Sequence, residues 1–262
     1  MTEHALRYDS APARRRSILA ALRESGFVSV ADLTRDLGVS DMTIRRDLRK
    51  LEQEGEVRVV RGGVSALQGP LHNPAFVSRA GRNAEAKRVI AQVARDMTRS
   101  ADTIAIDAGT TTYALAQALP DSFRGSIVTH SIPVIQLMLN RGISKVVGLG
   151  GELLSESQAF VGPMTVDAAS RLRVRTFFLG AAAVDERGIY VATDNERPTK
   201  QALMDIADEV VLLTDHSKFD LSAPVLLCPL DRITTLITNA PPPANVIDQL
   251  ASANVALVIA AS

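Results

Sequence analysis

The sequence is poor in the residues that build covalent or metal-held scaffolds. Among its 262 residues it has one cysteine, Cys228, and four histidines, His4, His72, His130 and His216. A single thiol closes no internal disulfide, which excludes a secreted disulfide scaffold and leads us to expect a reducing cytoplasm. The histidines form no close ligand pair and one cysteine builds no zinc site, so neither a bound metal nor a cofactor is expected. No apolar run approaches the roughly 20 residues of a membrane helix. The first residues, Met1 to Arg7, lack the apolar core of a signal peptide, so none is expected. Net charge is also missing: 29 Lys+Arg stand against 29 Asp+Glu, and the pI is near 6.9. That balance argues against a protein that holds nucleic acid by bulk positive charge. A small basic module attached to a mildly acidic partner domain stays open, because binding responds to local charge.

What is present is ordinary for a soluble globular chain, with 46% hydrophobic and 22% charged residues. Cys228 lies in the apolar run Val225-Leu-Leu-Cys-Pro229 and is expected to behave as a small buried hydrophobe. The chain changes character near residue 65. Residues 1–64 carry 12 Lys+Arg against 10 Asp+Glu, and the basic residues are clustered. Residues 65–75, punctuated by Gly69, Pro70 and Pro74, read as a linker. Residues 76–262 alternate β-branched apolar runs with helical patterns, the signature of βα units and a mostly parallel sheet.

The first domain reads as three helices and a hairpin. Ile18, Leu19 and Leu22 share one face of a first helix that Gly26 stops. Ser29 caps a second helix, with Asp32 three residues on, which buries Ala31, Leu33 and Leu37 and ends at Gly38. Ser40 caps a third, from Asp41 to about Gln53, with Ile44, Leu48 and Leu51 inward. Thr43, Arg45, Arg46, Arg49 and Lys50 are left facing out. Glu56 to Val64 alternates like a short hairpin bearing Arg58 and Arg61. Two short helices across a glycine turn, the second polar and basic, form a helix-turn-helix. Arginines there bond guanine edges, Ser40 and Thr43 reach phosphates or bases, and the hairpin is a wing for the neighbouring backbone. Clusters at Arg14 to Arg16, Arg45 to Lys50, and Arg58 with Arg61 are expected to meet phosphates.

The run Val28 to Gly55, above all Val39-Ser-Asp-Met-Thr-Ile-Arg-Arg-Asp-Leu48, resembles the winged helix-turn-helix of the deoxyribose-operon-repressor (DeoR) family. That family usually ends its wing with histidine before two glycines. Here Arg61-Gly62-Gly63 replaces a switchable group by a fixed charge.

The second domain holds several strand-end loops of a kind that cradle anions. In Asp107-Ala-Gly-Thr-Thr-Thr112 a strand gives way to Gly109, Thr110, Thr111 and Thr112 at a helix start, where hydroxyls, amides and the helix dipole favour negative charge. It has neither a Walker nor a GxGxxG pattern, so a nucleotide is unsupported. Thr129, His130 and Ser131 follow another strand, Gly151 and Glu152 a third, and Asp215 and Lys218 a fourth. The stretch Asp194 to Lys200 reads as a further helix start on the ligand side. Parallel strands gather their C-terminal ends at one edge, where ligands bind. Threonine hydroxyls and lysines suit a phosphate; Asp107, Glu152 and Asp215 suit sugar hydroxyls. These stretches, with Arg79, Asn83 and Lys87 to Ala91, resemble the DeoR sensor domain, related in fold to ribose-5-phosphate isomerase and coenzyme A transferases. The resemblance implies a phosphorylated sugar as effector and a homo-oligomer, dimer or tetramer. Where the family commonly has Thr-Asn-Ser, this chain has His130, suited to a ligand hydroxyl or to pH sensitivity.

The expectation is therefore a cytoplasmic transcriptional regulator, a repressor of a carbohydrate operon. Its partners would be double-stranded operator DNA and a phosphorylated sugar, with no membrane. The rival is a sugar-phosphate isomerase or transferase with an appended DNA-binding domain, using Asp107, Glu152 or Asp215 as base. A purely architectural DNA binder would have no need of several donor-rich strand ends.

Overall fold

The computed structural model describes residues 11–25, 27–66, 74–142 and 145–260. Gly26, Gly69, Pro70, His4 and His72, which figured above, lie outside the described residues. The chain divides into two compact units, Met1–Ala84 and Glu85–Ser262.

The first unit opens with α1 (Ala11–Ser25), β1 (Phe27–Ser29), α2 (Val30–Leu37) and α3 (Asp41–Gln53). It continues with β2 (Val57–Val60), β3 (Gly63–Ala66) and α4 (Pro74–Gly81). Both α2 and α3 start where a serine hydroxyl takes over an orphan amide. Ser29 accepts from the Asp32 amide and Ser40 from the Thr43 amide. Gly38, at φ +64°, ends α2 in the left-handed conformation that side chains resist. Ile18 and Leu22 of α1 pack with Leu33 and Leu37 of α2, Ile44, Leu48 and Leu51 of α3, and Val57 and Val64 of the hairpin. Such a side chain contributes on the order of 1.5–3 kcal/mol when fully buried.

Three features differ from expectation. Val30 takes the core position and Ala31 is exposed, because the helix starts at Val30 and turns its second residue outward. The hairpin gains a third strand: β1 pairs with β3 antiparallel, giving the order β1-β3-β2. The linker expected at 65–75 also falls differently. Ser65 and Ala66 complete β3, residues 67–73 lie outside the described residues, and α4 packs against β1 and β2.

The second unit is built on parallel βα units. It begins with α5 (Ala84–Asp96), β4 (Thr103–Ile106), α6 (Thr110–Ala118), β5 (Ser126–Thr129), α7 (Ile132–Arg141) and β6 (Lys145–Gly148). A hairpin follows, β7 (Glu152–Leu154) with β8 (Ala159–Val161), then α8 (Pro163–Ser170) and β9 (Val174–Gly180). Next come β10 (Ala183–Asp185), β11 (Gly188–Val191), α9 (Arg197–Asp205), β12 (Ala207–Leu213) and β13 (Val225–Cys228). The unit ends with β14 (Thr235–Thr238), α10 (Ala244–Ser252) and β15 (Ala256–Ile259). Seven strands form one sheet in the order β15-β14-β12-β9-β4-β5-β6, every pair parallel. Central strands buried on both faces must be apolar throughout, as Phe177, Phe178 and Leu179 of β9 are. A smaller antiparallel sheet, β10-β11-β13, flanks it and holds Cys228, a buried free thiol whose pKa burial pushes up to about 11. The chain runs from β4 outward to β5 and β6, then returns to β9 on the other side of β4. The seam between β4 and β9 is thus the switch point of the sheet, where such folds open a crevice.

Candidate functional site

In the first unit, α3 separates its residues by chemistry. Ile44, Asp47, Leu48 and Leu51 are buried, while Arg45, Arg46, Arg49 and Lys50 are exposed. Arg45 is paired along its own helix with Asp41 at 2.5 Å, and Lys50 with Glu54 at 3.4 Å. The hydrogen bond and charge of Asp41 hold the Arg45 guanidinium above its ordinary pKa. Arg46 and Arg49 have no ion-pair partner among the described residues, so their charge is available to an anion. A groove of about 790 Å³ runs along this face, lined by Arg14, Arg15, Met42, Thr43, Arg46 and Arg49 among others. Arg58 on β2 and Arg61 in the β2–β3 turn are exposed. The amide of Val59 donates to Glu52 at 2.8 Å, which ties the hairpin to the end of α3.

Two groups are more committed than the sequence suggested. Ser40 caps α3 and its hydroxyl lies 2.9 Å from that of Thr43, so the pair is engaged at the helix start. Arg14, expected to face phosphates, is buried, and its Nε donates to Asp47 at 2.5 Å. An arginine at that depth requires a carboxylate partner, and α3 supplies it.

In the second unit the switch-point seam holds a cluster of charged side chains. Asp107 follows β4 and is fully buried. One carboxylate oxygen accepts from Lys200 Nζ at 2.5 Å and from the Gly180 amide at 2.9 Å. The other lies 3.0 Å from His130 Nε2. Lys200 comes from the first turns of α9 and also donates to the Gly180 carbonyl at 3.2 Å. His130 Nδ1 lies 2.9 Å from the Phe160 carbonyl. Both ring nitrogens therefore face acceptors: a neutral imidazole satisfies one of them and an imidazolium both. Burial alone would raise the Asp107 pKa, but the Lys200 charge and the His130 hydrogen bond outweigh it and hold the carboxyl well below its usual range. Burial opposes the Lys200 charge, yet Asp107 and Glu196 carry its pKa above the ordinary lysine value.

The structure thus brings Asp107, His130 and Lys200 together, joined by Gly180, which the sequence did not single out. It turns several expected ligand hydroxyls inward instead. Thr112 donates to the Asp107 carbonyl at 2.7 Å and accepts from the Gly109 amide at 3.0 Å, closing the turn into α6. Thr129 donates to the Ile106 carbonyl at 2.6 Å, and Ser131 caps α7 by accepting from Val134. The turn at Gly109 and Thr110 is partly exposed and Thr111 is buried. By helix geometry the first amides of α6 have no intrahelical acceptor. Gly151, at φ +148°, admits no side chain, because a Cβ there would meet the Thr165 hydroxyl at 2.1 Å. Glu152 is exposed on β7; Asp215 is buried and accepts from the Ser217 hydroxyl at 2.5 Å; Lys218 is half-buried. The buried hydroxyls of Thr199 in α9, Thr214 after β12 and Thr238 ending β14 have no hydrogen-bond partner among the described residues. Only a bound molecule or water would satisfy them; Thr199 falls in the stretch Asp194 to Lys200 already marked in the sequence, while Thr214 and Thr238 were marked by nothing beyond their places at strand ends. Among the described residues, no group of three or more His, Cys, Asp or Glu could hold a metal ion. No helix there is long and apolar enough to cross a membrane.

Comparison with known proteins covers both units. Residues 14–68 match the DeoR-like helix-turn-helix domain and residues 82–240 the DeoR C terminal sensor domain. The chain is 31% identical over 247 residues to the HTH-type transcriptional regulator YgbI of Escherichia coli (strain K12), covering 94% of this chain and 97% of the relative. It is 30% identical over 245 residues to the glycerol-3-phosphate regulon repressor of the same organism, covering 93% and 97%. To the L-fucose operon activator of Haemophilus influenzae it is 30% identical over 229 residues, covering 87% and 92%. Among solved structures it is similar to ribose 5-phosphate isomerase A from Methanocaldococcus jannaschii, with TM-score 0.39, 18% identity, and 52% and 54% of the two chains covered. It is also similar to eIF2B beta from Chaetomium thermophilum, with TM-score 0.44, 14% identity, and 92% and 83% covered.

Proposed function

The chain belongs to the DeoR family of DNA-binding transcriptional regulators, and on that premise we propose that it represses carbohydrate-metabolism genes under the control of a phosphorylated sugar or polyol. The observation that carries the sensing half is the buried Lys200 ammonium, held by Asp107 at the seam of the parallel sheet. The Lys200 and Asp107 charges cancel, so a dianionic phosphate at this seam needs its charge met by the helix start of α6 and by the other donors at the strand ends. The α6 amides of Thr110 and Thr111 donate to phosphate oxygens beside the turn at Gly109, with Lys218, Gly151 and Glu152 at other strand ends holding the sugar. Asp215 and the unsatisfied hydroxyls of Thr199 and Thr214 extend the same polar edge.

On the DNA side, α3 enters the major groove with Arg46 and Arg49 toward base edges. Arg45, Lys50, Arg58 and Arg61 meet the backbone, and Ser40 and Thr43 pin the helix start. Two half-sites are held by two copies, so the working unit is a homo-oligomer. Coupling requires the sugar phosphate to bind the DNA-free and DNA-bound forms with different affinity. The glycerol-3-phosphate regulon repressor among the relatives favours both the repressor role and the ligand class. Of the three carboxylates that the enzyme alternative could use as general base, Asp107 is a weak one, because Lys200 holds it ionised.

The test is operator binding by the full-length protein, titrated with a panel of phosphorylated sugars and polyols. One compound is expected to shift the operator Kd at least fivefold, and Lys200→Met is expected to remove the shift while retaining DNA binding. If no compound shifts the Kd, the sensor assignment fails; turnover of a panel member establishes the enzyme instead.

A further inference from the structure

The exposed face of α3 is cationic and polar except at one position. Met42, the second residue of the helix, is 81% exposed, the most exposed of the large apolar side chains described. A lone exposed apolar side chain is common on proteins; what distinguishes Met42 is its address. It precedes Arg46, Arg49 and Gln53 by four, seven and eleven residues, so the four share one stripe of the helix. All four line the groove that Ser40 and Thr43 also border. No cap or core contact explains Met42: Ser40 and Thr43 make the cap, and Ile44, Leu48 and Leu51 make the core.

In helix-turn-helix proteins the first turns of the recognition helix reach the base edges, while phosphates are met at the flanks. A thioether offers no hydrogen-bond donor and only a weak acceptor, so Met42 reads none of the amino, keto or ring-nitrogen groups of the major groove. The one apolar group displayed there is the C5-methyl of thymine. We infer that Met42 is a specificity-determining residue that packs its thioether on a thymine methyl in each half-site, while Arg46 and Arg49 bond neighbouring edges. The inference rests on the DNA-reading assignment of α3. The long unbranched side chain adapts to the methyl without imposing one backbone distance. Removing the methyl gives back the burial of about one carbon, about 0.8 kcal/mol, or roughly fourfold in Kd.

The probe is a duplex selected from a random-sequence library by the full-length protein. Each thymine is then replaced singly by deoxyuridine, which removes only the methyl. Wild type is expected to lose about fourfold in affinity at one position per half-site. Met42→Ala is expected to bind the thymine duplex about fourfold more weakly and to be indifferent to deoxyuridine there. Replacing that base pair by one carrying 5-methylcytosine on the same strand is expected to restore part of the wild-type affinity and none of that of the variant. If Met42→Ala retains every deoxyuridine penalty of wild type, the thymine contact is refuted while DNA reading by α3 stands. If the library yields no preferred sequence, or if Arg46→Ala and Arg49→Ala bind the selected duplex as wild type does, base reading by α3 fails and the Met42 contact with it.

Discussion

Replacing Asp47 by alanine tests how α3 is held. Two Arg–Asp pairs involve this helix, and they differ chiefly in burial. Arg14–Asp47 joins it to α1, with side chains 10% and 7% exposed; Arg45–Asp41 lies along its surface, with side chains 54% and 56% exposed. Removing one member of a buried pair leaves the other charge in a poor solvent, at a cost of about 3–5 kcal/mol. Removing one member of an exposed i,i+4 pair costs about 0.3–0.5 kcal/mol. Against a typical total of about 5–15 kcal/mol the first loss is severe and the second small. Hydrogen exchange of α3 amides in the full-length protein, followed by mass spectrometry, reports the opening free energy locally. At a tenfold change per 1.4 kcal/mol, Asp47→Ala is expected to speed exchange at least a hundredfold and Asp41→Ala about twofold. Replacing both members of the buried pair, Arg14→Met with Asp47→Leu, is expected to recover at least half of the loss, since matched apolar groups incur no such penalty. If the two single variants exchange within threefold of each other, burial does not govern these pairs and the positioning role of Asp47 is wrong.

Two further outcomes follow from the shifted groups. Asp107 titrates lower in the folded chain than in the unfolded one, so its contribution is complete above about pH 4 and is lost as pH falls through the depressed value. Lys200 titrates higher when folded, so its contribution is complete below about pH 10 and is lost as pH rises through the raised value. Urea unfolding of the sensor unit between pH 2 and 11 should show both limbs, and Asp107→Asn should flatten the acid one; an unchanged acid limb refutes the assignment. Cys228, buried with its thiol pKa pushed up to about 11, should react with iodoacetamide at pH 8 at least a hundredfold more slowly in native protein than in urea. Comparable rates would contradict its burial.

The sequence made legible those features whose causes are local. A cap needs one hydroxyl three residues from an amide, so Ser29 and Ser40 reveal the starts of α2 and α3 to the residue. Periodicity exposes Ile44, Leu48 and Leu51 equally well. One residue of phase at a helix start was enough to exchange Ala31 for Val30. The strand β1 is three residues long and takes its shape from pairing with β3, which no local pattern announces. In the sensor unit the strand-end residues were visible one by one, but their company was not. The sequence nominates Asp107, His130 and Lys200 separately, and only the order of strands in the sheet brings them into contact. The hydroxyls of Thr112, Thr129 and Ser131 look like ligand donors because loops that cap themselves and loops that bind anions use the same residues.

The seam that joins Asp107 to its partners also sets a timetable. Every strand pair and ion pair described in the first unit closes within residues 11–66, so that unit can form as soon as its own residues have left the ribosome. Asp107 must wait 73 residues for the Gly180 amide and 93 for the Lys200 ammonium. At roughly 5–20 residues per second that wait is on the order of 5–20 seconds, and the parallel sheet cannot complete its centre before β9 arrives. Each new copy therefore can complete its helix-turn-helix unit before its parallel sheet.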